Sequence, residues 1–294
     1  MNRAVVKTGW PSEIQSWGRL IKFSHSIFAL PFALSMLIIL SRAHPITALQ
    51  LIWILVAVIS ARTAAMGFNR LHDREIDAQN PRTAARELPS GQISVTSVVV
   101  MVILSSLTFL ISSAALGLHC LVLAPGVLAL LFAYSHMKRL SWGSHLVLGV
   151  ALSFAPGGVW YAMTGKLSWL PVPLMAGVAL WVAGFDIIYA CQDLEFDRSQ
   201  RLHSVPARFG VRAALQMSLA VHIVALLSFA LFGILLSCGT AYWLGLSLFG
   251  AVMLDQHRKV SAHDLTKADG VFFTRNGAAS LIFLAGTLLD RLLS

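Results

Sequence analysis

The stretch ITALQLIWILVAVISARTAAMGFNRLHDREID, residues 46–77, decides the fold class. Residues 46–69 carry a single charge, Arg62, and a helix needs only about 20 apolar residues to cross a hydrocarbon core of roughly 30 Å. The run then breaks into Arg70, His72, Asp73, Arg74, Glu75 and Asp77. An apolar run of membrane length that ends in a dense polar cluster reads as a transmembrane helix carrying chemistry to one membrane face.

Comparable uncharged runs lie at about 23–41, 92–117, 119–135, 144–164, 168–190, 211–233, 238–254 and 277–290, which with 46–69 makes nine. The expected fold is therefore all-α, a polytopic membrane protein of about nine transmembrane helices around a central cavity. Hydrophobic residues make up 57% of the 294 and charged residues 12%, against about 25% charged in soluble domains. That balance excludes a soluble domain, a disordered chain, a coiled coil and a collagen. Cys120, Cys191 and Cys238 are too scattered for a disulfide scaffold. The first run follows a polar stretch and is read as a span, not a cleaved signal. Residues 1–22 are expected to form an interfacial segment, and 23–294 a single membrane domain.

A net charge of +9 invites a nucleic-acid reading, which the placement of the cations argues against. With the N-terminus in the cytoplasm, the inner connections hold Arg3, Lys7, Arg19 and Lys22, then Arg70, Arg74, Arg82 and Arg86. Lys138, Arg139, Arg198, Arg201, Arg208, Arg212, Arg258, Lys259, Lys267 and Arg275 follow on the same side. The outer side has only Arg42, Lys166 and Arg291. This is the positive-inside asymmetry of an integral protein, most simply of a bacterial inner membrane, in contact with lipid and not nucleic acid. The inner connections after the second, sixth and eighth runs reach about 20 residues, where ordinary loops have ~4–6, so function is sought on the cytoplasmic face.

The acids sharpen that reading. Asn69, Asp73 and Asp77 stand at i, i+4 and i+8, and share one face if the second helix continues. Asp186, Asp193 and Asp197 stand at i, i+7 and i+11 at the end of the sixth, again on one stripe. Both segments contain Asp-x-Glu-x-Asp, at 73–77 and 193–197, which points to an internal repeat. A lone acid at a helix end is ordinarily a solvated cap; two matched stripes at one face need more explanation. Facing carboxylates repel unless cations lie between them, and oxygen-only ligands suit Mg²⁺, which keeps positions open for water and phosphate. Nearby arginines and lysines supply the further charge that a diphosphate requires.

With Asn69-x3-Asp73-x3-Asp77, Arg82-Thr83-Ala84, Leu88-Pro89-Ser90-Gly91, the Asp186–Asp197 segment and Phe209-Gly210, the chain resembles the UbiA superfamily of intramembrane aromatic prenyltransferases. The resemblance implies two Mg²⁺ ions bridged by a prenyl diphosphate, with Asn69, Asp73, Asp77, Asp193 and Asp197 as ligands. It also implies attack by an aromatic ring on the prenyl carbon. Lys22, Lys138, Tyr134, Asp186 and Gln192 would then be substrate contacts.

Arg62, two turns below Asn69 on the same face, is too costly within a span to be incidental, and the family commonly carries an arginine there. It would bind an acceptor carboxylate or brace the first acid stripe. His25, His72 and His203 do not have zinc-site spacing and are read as packing residues, His72 with a place near the site. The segments 23–32 and 184–193 resemble the quinone-pathway branch that transfers a polyprenyl group to 4-hydroxybenzoate. The same chemistry on 1,4-dihydroxy-6-naphthoate in menaquinone synthesis is the alternative. A transporter is the competing class, disfavoured because transporters bind near the bilayer midplane on interrupted helices and only Arg62 lies deep here.

Overall fold

The computed structural model describes residues 17, 18, 20, 28–261, 265 and 268–294, without the side chains of 268–272. In chain order its helices are α1 (Leu30–Leu40), α2 (Ala48–His72), α3 (Arg74–Gln79), α4 (Val95–Leu116), α5 (Leu118–Ala133) and α6 (Met137–Leu140). There follow α7 (Ser144–Thr164), α8 (Val172–Ala190), α9 (Leu194–Ser199), α10 (Val205–Leu235), α11 (Thr240–Lys259) and α12 (Ala268–Leu293). Each apolar run of the sequence carries a helix among the described residues. Among the described residues seven helical segments, α2, α4, α5 with α6, α7, α8 with α9, α10 and α12 from Phe273, are long and apolar enough to cross a membrane. Of the other two, α1 spans eleven residues among those described, and α11 ends in the polar Asp255–Lys259.

Local chemistry sets the helix boundaries. Thr47 and Gln50 form a reciprocal capping box at the start of α2, and Ser94 and Ser204 cap α4 and α10. Gly117 lies at φ +140°, which an L side chain rarely adopts, and parts α4 from α5 where the apolar sequence scarcely pauses.

Helix α8 is the partition of the molecule. One side meets α10 and α7, and its Trp181 enters a cluster with Phe32 of α1, Phe229 of α10, and Phe249 and Phe283 of α11 and α12. Phe32 stacks on Phe229 at 5.6 Å and lies 5.1 Å from both Trp181 and Phe283. Such ring pairs contribute about 0.5–1.5 kcal/mol each beyond area burial. Close approach elsewhere depends on missing side chains: a Cβ on Gly149 of α7 would run into the Ala179 carbonyl of α8.

The two acid-bearing segments share a backbone device. Helix α2 gives way to α3 at Asp73 (φ −94°, ψ 7°), and α8 passes through the single turn Cys191–Asp193 into α9 at Asp193 (φ −96°, ψ 6°). The repeat inferred from Asp-x-Glu-x-Asp is thus a repeat of local conformation. At the opposite face Asp290 accepts from Arg42 at 3.1 Å and from the Gly239 amide at 3.0 Å, fastening the ends of α12 and α1 to the α10–α11 turn.

Candidate active site

Between α2, α4, α5, α7 and α8 lies a cavity of about 550 Å³. Asn69, Asp73 and Asp77 line its polar mouth from one side and Asp193 and Asp197 from the other, with Asp186 deeper on the second wall. The interruption at Asp73 leaves the first stripe intact, because the Asp73 amide still donates to Asn69 O at 2.9 Å and the Asp77 amide to Asp73 O at 2.7 Å. Asn69 Nδ2 donates to Asp73 Oδ2 at 2.9 Å, which orients that carboxylate. Glu75 and Glu195, off the stripes, are exposed.

Arginines occupy the space between the acids. Arg86 Nη1 donates to both oxygens of Asp77 at 2.8 Å, and Arg70 approaches the same carboxylate at 3.6 Å. Arg82, from the loop after α3, crosses the mouth to Asp193. Its Nε donates to Oδ1 at 2.9 Å and its Nη2 to Oδ2, in a fork matched to the carboxylate. Its Nη1 donates to the Tyr189 hydroxyl at 2.5 Å, and Asn80 Nδ2 adds a bond to Asp193 Oδ1 at 3.0 Å. Asp197 accepts from Ser204 Oγ at 2.8 Å. Lys138 acts electrostatically on Asp73 from one stripe and on Asp186, Asp193 and Asp197 from the other. Burial raises the Asp73 carboxyl above the ordinary carboxylate range and the Asp77 charge adds to this, while Lys138, Arg139 and the Asn69 amide pull against it.

Below the mouth the lining turns apolar. It includes Phe109, Leu123, Leu152, Phe154, Trp160 and Met175, and continues to Leu116 at the end of α4 and Leu167 in the α7–α8 loop, away from the acids. Arg62 and Tyr134 lie at the transition.

Of the residues singled out in the sequence, the structure gathers Arg62, Asn69, Asp73, Asp77, Tyr134, Lys138, Asp186, Asp193 and Asp197 on this one cavity. Gln192 is not among the lining residues; its Nε2 reaches Tyr189 O at 3.5 Å. Lys22 and His25 lie outside the described residues. His72 is not in the lining either and packs against His136, ring centroids 4.0 Å apart. Asn80, Tyr189, Ser204 and His145 escaped sequence reasoning. Tyr189 stood inside a quoted segment without a signal of its own, and Asn80 fell in the gap between Asp77 and Arg82. His145 had none, because its partner Asp186 is 41 residues away.

Oxygen donors dominate the mouth, as a hard divalent cation requires. Among the described residues no three His, Cys, Asp or Glu side chains form a ready cage. One or two carboxylates on each wall fit a cation that keeps its waters and arrives with phosphate oxygens.

The chain was compared with known proteins on this basis. The profile described as the UbiA prenyltransferase family matches residues 29–278. A 4-hydroxybenzoate octaprenyltransferase from Pseudoalteromonas translucida is 29% identical over 243 residues, covering 79% of each chain. The apo structure of a UbiA homolog from Aeropyrum pernix superposes with a TM-score of 0.81 at 35% identity, over 90% of this chain and 98% of that one. A UbiA homolog from Archaeoglobus fulgidus bound to DMAPP and Mg²⁺ shares the fold at a TM-score of 0.72 and 18% identity, over 95% of this chain and 100% of that one. The match over most of the chain settles the family: the chain is a membrane-embedded prenyltransferase of the UbiA prenyltransferase family.

Proposed function

We infer that the protein transfers a polyprenyl group from a polyprenyl diphosphate to a ring carbon of an aromatic hydroxy acid, 4-hydroxybenzoate, releasing diphosphate for quinone synthesis. The observation that carries this is one cavity joining a mouth of opposed acids and arginines to an apolar interior that reaches the far helix ends. A diphosphate needs the first and an isoprenoid tail the second. The curated relative named for 4-hydroxybenzoate supports the acceptor, and the Archaeoglobus homolog bound to DMAPP and Mg²⁺ supports the donor and metal. The mouth faces the cytoplasm of a bacterial inner membrane, by the placement of the cations.

Asn69, Asp73 and Asp77 on one wall and Asp193 and Asp197 on the other would hold two Mg²⁺ ions. Bound there, these supply charge neutralisation for a departing diphosphate. Arg82, Arg86 and Lys138 stand beside the same position and add fixed positive charge where negative charge develops. Tyr189 and Phe185 line the cavity where an allylic cation would form, and the apolar lining keeps water away from it. Arg62, deeper than the acids, takes the acceptor carboxylate and sets the ring over the prenyl carbon.

The test is diphosphate release by purified protein given prenyl diphosphate, Mg²⁺ and 4-hydroxybenzoate, with prenylated acid identified by mass. Release that ignores a chelator, or that requires no aromatic acid, overturns the reading. Offering 1,4-dihydroxy-6-naphthoate in parallel identifies the acceptor.

A further inference from the structure

His145, the second residue of α7, is 1% exposed and lies between two elements of the site. Its Nδ1 is 2.7 Å from Asp186 Oδ2, and its Nε2 is 3.2 Å from the Val205 amide nitrogen at the start of α10. A backbone amide can only donate, so Nε2 is the bare nitrogen and accepts. The remaining ring proton therefore sits on Nδ1 and is donated to Asp186. The imidazole is held neutral in a single tautomer by a group that cannot rotate away.

Asp186 itself faces the cavity, with its side chain 21% exposed and Oδ2 taken by His145. It stands seven residues before Asp193 on α8, about two turns or ~10 Å below the mouth. That puts it beneath the diphosphate position and at the level where the prenyl carbon and the aromatic ring must meet. The ammonium of Lys138 acts on it from the mouth.

We propose that Asp186 is the base that removes the ring proton, and that His145 is the positioning residue that aims it by locking Oδ2 and leaving Oδ1 toward the cavity. This rests on the aromatic-acceptor reading given above. In the step, the ring's π pair forms the new carbon–carbon bond while the allylic carbon–oxygen bond breaks, its electron pair leaving with diphosphate. The C–H bond at the attacked carbon then breaks; its electrons restore the aromatic sextet and its proton passes to Oδ1. No oxidant or further reactant is required. His145 moves no proton.

The experiment compares wild type, His145→Ala and His145→Gln with 4-hydroxybenzoate bearing hydrogen or deuterium at the prenylated position. Removing an outer partner of this kind costs about 10–100-fold, so His145→Ala should lower kcat by that range with KM for both substrates nearly unchanged. Proton removal should then limit the rate, raising the deuterium isotope effect on kcat from near unity to clearly above it. Gln keeps a side-chain N–H donor, and His145→Gln should recover most of kcat and bring the isotope effect back down. Prenyl diphosphate binding to each variant reports intact folding. An isotope effect that stays at unity in His145→Ala, or equal loss in Ala and Gln without an isotope effect, overturns the proposal. If wild type makes no prenylated aromatic product, it is the acceptor reading that has failed.

Discussion

The two walls of the mouth carry the same Asp-x-Glu-x-Asp spacing on the same interrupted helix, but their charges are compensated differently. Asp77 on the first wall is met by Arg86 and Arg70, both from its own half of the chain. Asp193 on the second is met by Arg82 and Asn80, which reach it from the first half, and Asp197 has the Ser204 hydroxyl. The repeat therefore extends to backbone conformation and not to electrostatics. One loop, between α3 and α4, supplies arginines to both walls and so offsets the repulsion between their carboxylates.

The largest effect should come from the acids. Asp73→Ala or Asp193→Ala is expected to lower turnover by about three orders of magnitude, the upper end for a lost electrostatic contact in a preorganised site, with a thermal melt that stays cooperative. Arg82→Ala comes next. It leaves a buried carboxylate without its fork, so a loss of about 2 kcal/mol in stability is expected together with weaker diphosphate binding. Arg86→Ala should be milder in both, because Asp77 retains Arg70; equal losses in the two variants would break the asymmetry between the walls.

Arg62→Lys keeps the charge and loses the bidentate fork. Its expected signature is about a tenfold rise in acceptor KM, or ~1.4 kcal/mol, with prenyl diphosphate affinity unchanged. A weakened response to Mg²⁺ in that variant would instead make Arg62 a brace for the first stripe. The smallest effects should belong to Glu75→Ala and Glu195→Ala, whose side chains are exposed off the stripes; turnover should stay close to wild type. If these two fall as far as the aspartates, the helical-face argument is wrong for both walls.

Much of this site was legible because it sits at helix ends. Helical spacing alone put Asn69, Asp73 and Asp77 on one face, and the i, i+4 hydrogen bonds through Asp73 show why the break in α2 does not disturb it. What helical spacing cannot report is a contact between distant segments. Arg82 and Asp193 are 111 residues apart, and each looked like a topology-setting cation or a metal-ligating acid on its own. His145 was invisible for the same reason. The run at 211–233 also missed the start of α10, which begins at Val205 and turns through Gly210 at φ +80° before the apolar stretch. The short Val205–Gly210 segment, set off from the apolar run by Arg208 and the Gly210 turn, supplies the amide that fixes His145.

Helix α8, with its aromatic core on one side and the cavity on the other, has 72% of its most apolar window inside the protein, against 22% for the α5–α6 segment. By hydrophobic matching, a segment with so little outward-facing surface should keep the position its protein packing sets, whereas the more exposed α5–α6 segment should be the one to answer a thinner or thicker bilayer. On that expectation the depth of Asp186 and Asp193 follows the protein, and that of the apolar lining contributed by α5 follows partly the lipid. Bilayers of graded thickness should change how well long tails are accommodated and leave the position of bond making where it is.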